Sequence, residues 1–125
     1  MLTLSDVTKL YTRPEGIVHA LDGVSMTAQA GEFIAVQGPS GCGKTTLLLT
    51  AGSLLAPDGG VVTVDGVDPY RLPPDDRARF RADTIGFVFQ QFYLIPYLSV
   101  VENVLAPSLA MPRPDALDRA QLVEA

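Results

Sequence analysis

Residues 38–45 read Gly38-Pro39-Ser40-Gly41-Cys42-Gly43-Lys44-Thr45, and this stretch decides the fold. It has the pattern GxxxxGK[ST] and closely follows the apolar run Phe33-Ile34-Ala35-Val36. Its glycines let the backbone turn tightly, so that consecutive main-chain N–H groups can point inward and surround a phosphate. The pattern therefore predicts a nucleoside triphosphate site, with ATP as the expected nucleotide.

A helix is predicted directly after the loop, because residues 45–50 read Thr-Thr-Leu-Leu-Leu-Thr. Its unpaired first N–H groups and positive dipole end would also face the phosphates. Lys44 would bring a full charge to the β and γ phosphates, Thr45 would place its hydroxyl on Mg²⁺, and Thr46 would reach the α phosphate. The alternative is a glycine-rich turn with a solvated lysine, but the order strand, loop and helix favours the phosphate site.

Composition limits the class of protein. With 125 residues, 47% of them hydrophobic, the chain is one domain at most and can build a core. A net charge of −5 argues against a nucleic-acid surface. The start lacks a signal-peptide pattern, and the longest apolar stretch, residues 47–56, is too short and polar to span a membrane. A cytoplasmic protein, free or bound at the cytoplasmic face of another component, is predicted.

Cys42 is the only cysteine, which excludes an internal disulfide and fits a reducing compartment. It is interpreted as a small filler of the loop and not as a nucleophile, because the sequence offers it no identifiable histidine or acid partner.

Apolar patterning and turn residues predict the remaining elements. The dipeptides Asp22-Gly23 and Asp65-Gly66 predict hairpin turns. Pro73-Pro74 predicts the start of a short charged helix through Arg81, and Ser99 with Glu102 forms a capping box. The predicted strands are 2–11, 18–21, 24–28, 32–36, 61–64 and 85–89; the other predicted helices are 45–55, 99–110 with a break at 111–114, and one from Asp115.

The order of these motifs resembles the nucleotide-binding domain of an ATP-binding cassette (ABC) protein. The matching segments are 21–25 (LDGVS), 31–33 (GEF), 38–48, 59–61 (GGV), 65–66 (DG), 85–90 (IGFVFQ), 94–96 (LIP) and 99–104 (SVVENV). Within the family, the run from Arg77 to Gln90 is most similar to subunits that drive lipoprotein release, macrolide export and related mechanotransmission.

The resemblance implies an α/β fold with a P-loop NTPase (RecA-like) core and an antiparallel β subdomain over residues 1–90. Residues 91–125 would hold the glutamine loop and the start of the helical subdomain, and the chain would stop before the signature motif. The second half of the family's pattern, with its signature helix and catalytic carboxylate, is not found in these 125 residues. The chain is therefore interpreted as an N-terminal portion that binds nucleotide poorly and does not hydrolyse it by itself.

The resemblance also implies a set of site residues. Tyr11 would stack on adenine; the alternative is a strand-end aromatic that covers the core, and the stacking role is favoured. Gln90 would reach Mg²⁺ and the attacking water, so that Lys44 and Gln90 are the catalytic candidates and Thr45 and Gln90 the metal ligands. The predicted nucleotide-binding set is Tyr11, Gly38, Pro39, Ser40, Gly41, Cys42, Gly43, Lys44, Thr45 and Thr46.

The implied partners are a transmembrane permease subunit and a second nucleotide-binding domain, at the cytoplasmic face of the inner (plasma) membrane. The permease groove would use Phe92, Tyr93, Leu94, Ile95, Tyr97 and Leu98, of which core packing could explain about half equally well. Two alternatives remain open: a soluble ABC ATPase outside transport, and a short nucleotide-binding module that regulates a full-length subunit. The transported substrate is not encoded in this sequence.

Overall fold

Three antiparallel strands form the sheet: β1 (Leu2–Arg13), β2 (Gly16–Ala28) and β3 (Gly59–Val64). The computed structural model describes residues 1–109, and side chains as far as residue 106. The strand order is β2-β1-β3, so β1 is central. Residues 14–15 form the turn between β1 and β2, and Arg13 pairs with Gly16. The strand predicted at residues 2–11 is confirmed and continues to Arg13.

The predicted turn at Asp65-Gly66 is confirmed. The N–H of Val64 donates to the carbonyl of Val67 at 2.9 Å, and the N–H of Val67 donates back at 3.0 Å. Asp65 and Gly66 have φ of 49° and 79°. Positive φ at both central residues is what a type I′ hairpin turn requires.

The predicted turn at Asp22-Gly23 is wrong, because β2 runs through this dipeptide as a bulged strand. Between the pairs made by Val7 and Lys9, the register advances two residues along β1 against three along β2. Gly23 has φ of 61°, and its N–H donates to Oγ1 of Thr8 at 3.3 Å. Bulges and tight turns both use a residue at positive φ, so the same dipeptide is compatible with either.

The strands predicted at residues 32–36 and 85–89 are also corrected. In the described part of the chain, neither run is paired into a sheet. Phe33 is 92% exposed, and Val88 is fully exposed. An apolar run becomes a buried strand only when other strands hydrogen-bond along its edges and other elements cover its faces. Residues 1–109 do not supply these neighbours to either run.

Three α-helices and one short 3₁₀ turn complete the described chain. They are α1 (Lys44–Ala51), the 3₁₀ turn (Pro69–Arg71), α2 (Pro74–Thr84) and α3 (Val100–Leu109). No helix among the described residues is long and apolar enough to cross a bilayer. The break predicted at 111–114 and the helix predicted from Asp115 lie outside the described residues.

Helix α1 ends earlier than the predicted residue 55. Gly52 is its C-cap, and Ser53 has φ of 58°, which ends the helical conformation. The N–H groups of Leu54 and Leu55 both donate to the carbonyl of Leu49, at 2.9 and 3.2 Å. Helices commonly end on a residue in the left-handed region in this way, because the bonds satisfy carbonyls of the last turn.

The core lies between the sheet and α1. Its fully buried members are Leu4, Val7, Leu21 and Val62. Leu47 and Ala51, one turn apart on α1, pack against this cluster. The contact holds the helix that follows the phosphate loop against the sheet.

A second compact unit begins at Gly86. Its helix α3 starts at the predicted capping box, which is confirmed. The hydroxyl and the N–H of Ser99 donate to Oε2 of Glu102 at 2.7 and 2.8 Å, and the N–H of Glu102 donates to Oγ of Ser99 at 3.3 Å. Both bonds from Ser99 lower the pKa of Glu102, and the bond from the hydroxyl has the larger effect.

Candidate phosphate-binding site

The loop before α1 depends on glycines. Gly41 and Gly43 have φ of 81° and 94°, conformations that residues with a side chain rarely adopt. A β carbon on Gly38 would lie 2.7 Å from Sγ of Cys42. The N–H of Cys42 donates to the carbonyl of Pro39 at 3.4 Å. The loop is therefore a tight turn that brings residues 38 and 42 together, while Cys42 remains exposed.

The N-terminus of α1 opens onto the loop. Gly43 is the N-cap residue, and no side chain of the described residues caps the helix. The N–H of Leu47 is bonded back to the carbonyl of Gly43 at 2.8 Å. The N–H groups of residues 44–46 precede this bond and have no helical acceptor. Together with the positive end of the helix dipole, they favour an anion at this end of α1.

A bulge of β2 fixes the end of the loop. Between the pairs Lys9 with Leu21 and Leu10 with His19, β2 contains one extra residue, Ala20. A β carbon on Gly43 would lie 2.1 Å from the carbonyl oxygen of Ala20. Only glycine permits this approach, so the sheet positions the loop directly through the backbone.

Lys44 lies across the loop. Its Nζ donates to the carbonyl oxygens of Gly38 and Pro39 at 2.8 and 2.7 Å, and lies 3.6 Å from Sγ of Cys42. The ammonium is therefore held by main-chain acceptors at the start of the loop, although Lys44 itself begins the helix that follows. This geometry places a full positive charge beside the N–H groups at the start of α1.

The other predicted site residues are distributed over both units. Thr45 is exposed and Thr46 partly buried, and both belong to the first turn of α1. Tyr11 lies in the same unit, where it pairs with Val18 on β2, two residues from the Ala20 bulge; its side chain is 39% exposed. Gln90 is exposed and belongs to the second unit. The structure thus brings together Lys44 and residues 38–43, and it carries Gln90 on a separate unit.

The second unit has an apolar groove of about 330 Å³. Leu94 and Val100 on its rim are 65% and 81% exposed. Of the six residues predicted for a permease groove, three line it, while Phe92, Tyr93 and Tyr97 are exposed. The lining residues are Leu94, Ile95, Pro96, Leu98, Val100, Asn103 and Val104.

An aromatic stack precedes this groove on the same unit. The rings of Phe87 and Phe89 are stacked at 5.5 Å, and Tyr93 meets Phe89 edge-on at 5.4 Å. Gln90 lies between Phe89 and Tyr93 in the sequence. The contact between these two rings therefore brings together the ends of the short segment that contains Gln90.

Two contacts elsewhere in the first unit were not predicted. Asp58 accepts hydrogen bonds from the N–H of Leu10 at 2.7 Å and from Nζ of Lys9 at 3.0 Å. Both bonds hold the pKa of Asp58 below its ordinary value, and the bond from Leu10 has the larger effect. Tyr70 places its hydroxyl 2.6 Å from the carbonyl of Thr50 and 2.7 Å from that of Leu55, and burial raises its pKa to about 12. Each contact joins residues that are far apart in the sequence. The only local indication was the turn-like composition of residues 57–60, which include Asp58.

A glycine-rich loop that leads into a helix, in an α/β chain, defines the class of P-loop NTPases. The profile of the ABC transporter family matches residues 21–125. The chain therefore belongs to the ABC transporter family.

Relatives and solved structures agree with this family. LolD 1 of Rhodopirellula baltica, a lipoprotein-releasing system ATP-binding protein, is 44% identical over 124 residues, which are 99% of this chain and 54% of that protein. MacB of Chlorobaculum tepidum, a macrolide export ATP-binding/permease protein, is 41% identical over 98% of this chain and 20% of that protein. The dimeric, post-hydrolysis structure of the cassette MJ0796 bound to ADP and Pi matches with a TM-score of 0.89 at 40% identity, over 99% of this chain and 55% of that one. The chain spans about half the length of LolD 1 and MJ0796.

Proposed function

We propose that this chain is the nucleotide-binding portion of an ABC transporter ATP-binding subunit, and that residues 38–46 bind the phosphates of MgATP. The observation that carries the proposal is the position of Lys44, whose ammonium lies inside the loop beside the uncapped start of α1. Two sources of positive potential thus converge on one small region. Such convergence favours a polyanion over a single carboxylate.

The proposed roles follow from this geometry. Lys44 exchanges its bonds to the carbonyls of Gly38 and Pro39 for bonds to the β and γ phosphates. Thr45, exposed at the first turn of α1, offers its hydroxyl to Mg²⁺, and Thr46 offers its own to the α phosphate. When bound, Mg²⁺ neutralises charge between the β and γ phosphates, which lowers the cost of holding the polyanion.

Tyr11 and Gln90 are proposed as further residues of the nucleotide site. The exposed ring of Tyr11 lies near the bulge that positions Gly43, which supports adenine stacking at this end of the sheet. Gln90 is proposed to contact Mg²⁺ and the attacking water.

The proposed partners are a permease and a second nucleotide-binding domain. The MacB relatives are named as ATP-binding/permease proteins, and the MJ0796 cassettes are dimeric. The groove on the second unit is open, apolar and close to 300 Å³, the lower limit of about 300–1,000 Å³ for ligand pockets. It suits one or two bulky side chains of a helix, so we place the permease contact there, at the cytoplasmic face of the inner membrane.

Thermal unfolding with and without MgATP tests the phosphate site. A ligand that binds only the native state stabilises it by RT ln(1 + [L]/Kd), which is about 2.7 kcal/mol at a hundredfold excess over Kd. We expect MgATP to raise the unfolding temperature of the wild-type chain and to leave that of Lys44→Ala unchanged.

The matched control is Lys9→Ala, which removes the only other lysine of the chain. Lys9 pairs with Asp58 in the sheet, so this variant should unfold at a lower temperature and keep the full MgATP-dependent increase. An increase that survives in Lys44→Ala would contradict the assignment of the phosphate site.

A further inference from the structure

The Asn103 amide accepts one hydrogen bond from the backbone of the segment that precedes its own helix, and its two N–H protons are shared among three carbonyls there. Its Oδ1 accepts from the N–H of Ile95 at 2.8 Å. Its Nδ2 lies 3.2 Å from the carbonyl of Ile95, 3.1 Å from that of Leu98 and 3.0 Å from that of Ser99. Only this orientation of the amide places an acceptor at the N–H and donors at the carbonyls.

The amide therefore joins the two walls of the apolar groove. One wall is the irregular segment 94–98, and the other is the first turns of α3 with Val100 and Val104. The irregular wall has no ladder hydrogen bonds of its own in the described chain, and its one backbone bond is from the N–H of Leu98 to the carbonyl of Ile95, at 3.1 Å. Without Asn103, little besides apolar contact would hold this wall at a fixed distance from α3.

We propose that Asn103 is a positioning residue that sets the width of the apolar groove for an apolar helix of the permease. The inference rests on the permease contact proposed above and assigns the residue that shapes it. The Asn103 side chain hydrogen-bonds to both the N–H and the carbonyl of Ile95, as a neighbouring β-strand would. It thereby fixes the backbone orientation at Ile95, and with it the direction in which Leu94 and Leu98 meet a partner.

The test uses the 125-residue chain and two readouts. The first is hydrogen exchange at the Ile95 amide. The second is binding of a synthetic amphipathic helix, an amidated peptide of alanine, glutamate and lysine with leucines at i, i+3, i+4 and i+7, followed by methyl chemical shifts of groove residues. The variants are Asn103→Ala, which removes the amide, and Asn103→Asp, which keeps its size but replaces the donor with an oxygen facing three carbonyls.

Glu102→Ala is the matched control, because it removes the capping box from the same turn of α3 and leaves the Asn103 amide in place. We expect exchange at Ile95 to accelerate by up to about tenfold in both Asn103 variants, since one net hydrogen bond changes an equilibrium by up to about tenfold. Peptide affinity should fall by a similar factor in both variants and stay within about twofold of wild type in Glu102→Ala.

The two possible failures are distinguishable. If the wild-type chain does not bind the peptide in the groove, the permease contact is wrong and the inference fails with it. If the wild type binds but Asn103→Asp binds equally well, the amide only fills space, and the positioning role is wrong while the permease contact stands. Equal losses in Glu102→Ala and Asn103→Ala would assign the effect to helix fraying and would also overturn the inference.

Discussion

At the scale of single residues, the site depends on how closely two backbones approach. Gly43 sits against the carbonyl of Ala20, and the bulge in β2 is what brings that carbonyl forward. Lys44 follows Gly43 directly, so the position of its backbone is set by the same contact. The charge of Lys44 is therefore positioned by the sheet as well as by the loop.

Gly43→Ala should destabilise the fold more than Gly41→Ala. Both residues have positive φ, which costs alanine of the order of 1 kcal/mol or more. The new methyl group at residue 43 would also meet a carbonyl oxygen at 2.1 Å, whereas the one at residue 41 would meet nothing within 4 Å. Denaturant midpoints of the two variants measure the difference, and equal midpoints would mean that the sheet does not press on the loop.

At residue level, the sequence predicts a tight glycine loop that leads into a helix, and the structure contains both. The glycines and Lys44 lie within one short motif, so their chemistry depends on neighbours in the chain. The contact of Gly43 with Ala20 could not be predicted, because it joins the loop to a bulge more than twenty residues earlier, and register shifts are not visible in the alternation of side chains.

At the scale of elements, the region after α1 is held by Tyr70. Its hydroxyl faces two carbonyls at the end of α1 and just beyond, while Arg77 of α2 lies over its ring at 5.6 Å. A phenol has one proton, so the two carbonyls share it. Carbonyls in the last turn of a helix need such outside donors. Tyr70 thereby links α1, the 3₁₀ turn and α2.

Tyr70→Phe should lower the free energy of unfolding by about 1–3 kcal/mol, because two carbonyls lose their donor while the ring is kept. The folded-state pKa of Tyr70 is raised to about 12, so the hydroxyl stabilises the fold below pH 10 and loses this effect as the pH rises toward 12. The difference between wild type and variant should therefore disappear at high pH. Tyr97→Phe, at an exposed ring, is the control and should unfold like the wild type.

Asp58 ties β1 to the start of β3 and gives the sheet an acid dependence. Because its pKa is lowered in the folded state, its charge stabilises the fold above the ordinary value of 3.8 and ceases to do so as the pH falls through the lower, folded value. Asp58→Asn should unfold at a lower temperature than wild type at neutral pH. The gap should close as the pH is lowered below 3.8.

Asp83→Asn, at an exposed carboxylate of α2, should leave unfolding unchanged at neutral pH. If the gap between wild type and Asp58→Asn stayed constant down to strongly acidic pH, the carboxylate charge would not be the source of the stabilisation.

Sequence patterning was reliable for elements that local chemistry specifies. The Asp65-Gly66 turn, the Pro74 start of α2 and the Ser99 capping box all depend on residues within four positions of one another. The predicted strands at 32–36 and 85–89 are wrong for the opposite reason, because a buried strand needs hydrogen-bonding partners from other parts of a sheet and the described residues do not pair with either run.

At the scale of the whole molecule, several large apolar side chains of the described residues are exposed to solvent. Phe33, Val88 and Phe92 are all nearly or fully exposed. Apolar surface of this extent marks places where other protein packs. The contacts that hold residues 38–44, including those of Lys44 with the Gly38 and Pro39 carbonyls and of Gly43 with Ala20, lie by contrast within the first unit. The proposal of phosphate binding at residues 38–46 can therefore be tested on these 125 residues.

Alkylation of Cys42 in the presence of MgATP tests this claim most directly. Cys42 is exposed and is the only cysteine, and its Sγ lies 3.6 Å from Nζ of Lys44, so a single rate reports occupancy of the loop. We expect saturating MgATP to slow alkylation of the wild-type chain and to have no effect on the rate in Lys44→Ala. An equal rate with and without MgATP in the wild type, at nucleotide concentrations up to the millimolar range, would contradict the assignment of residues 38–46 as a nucleotide site.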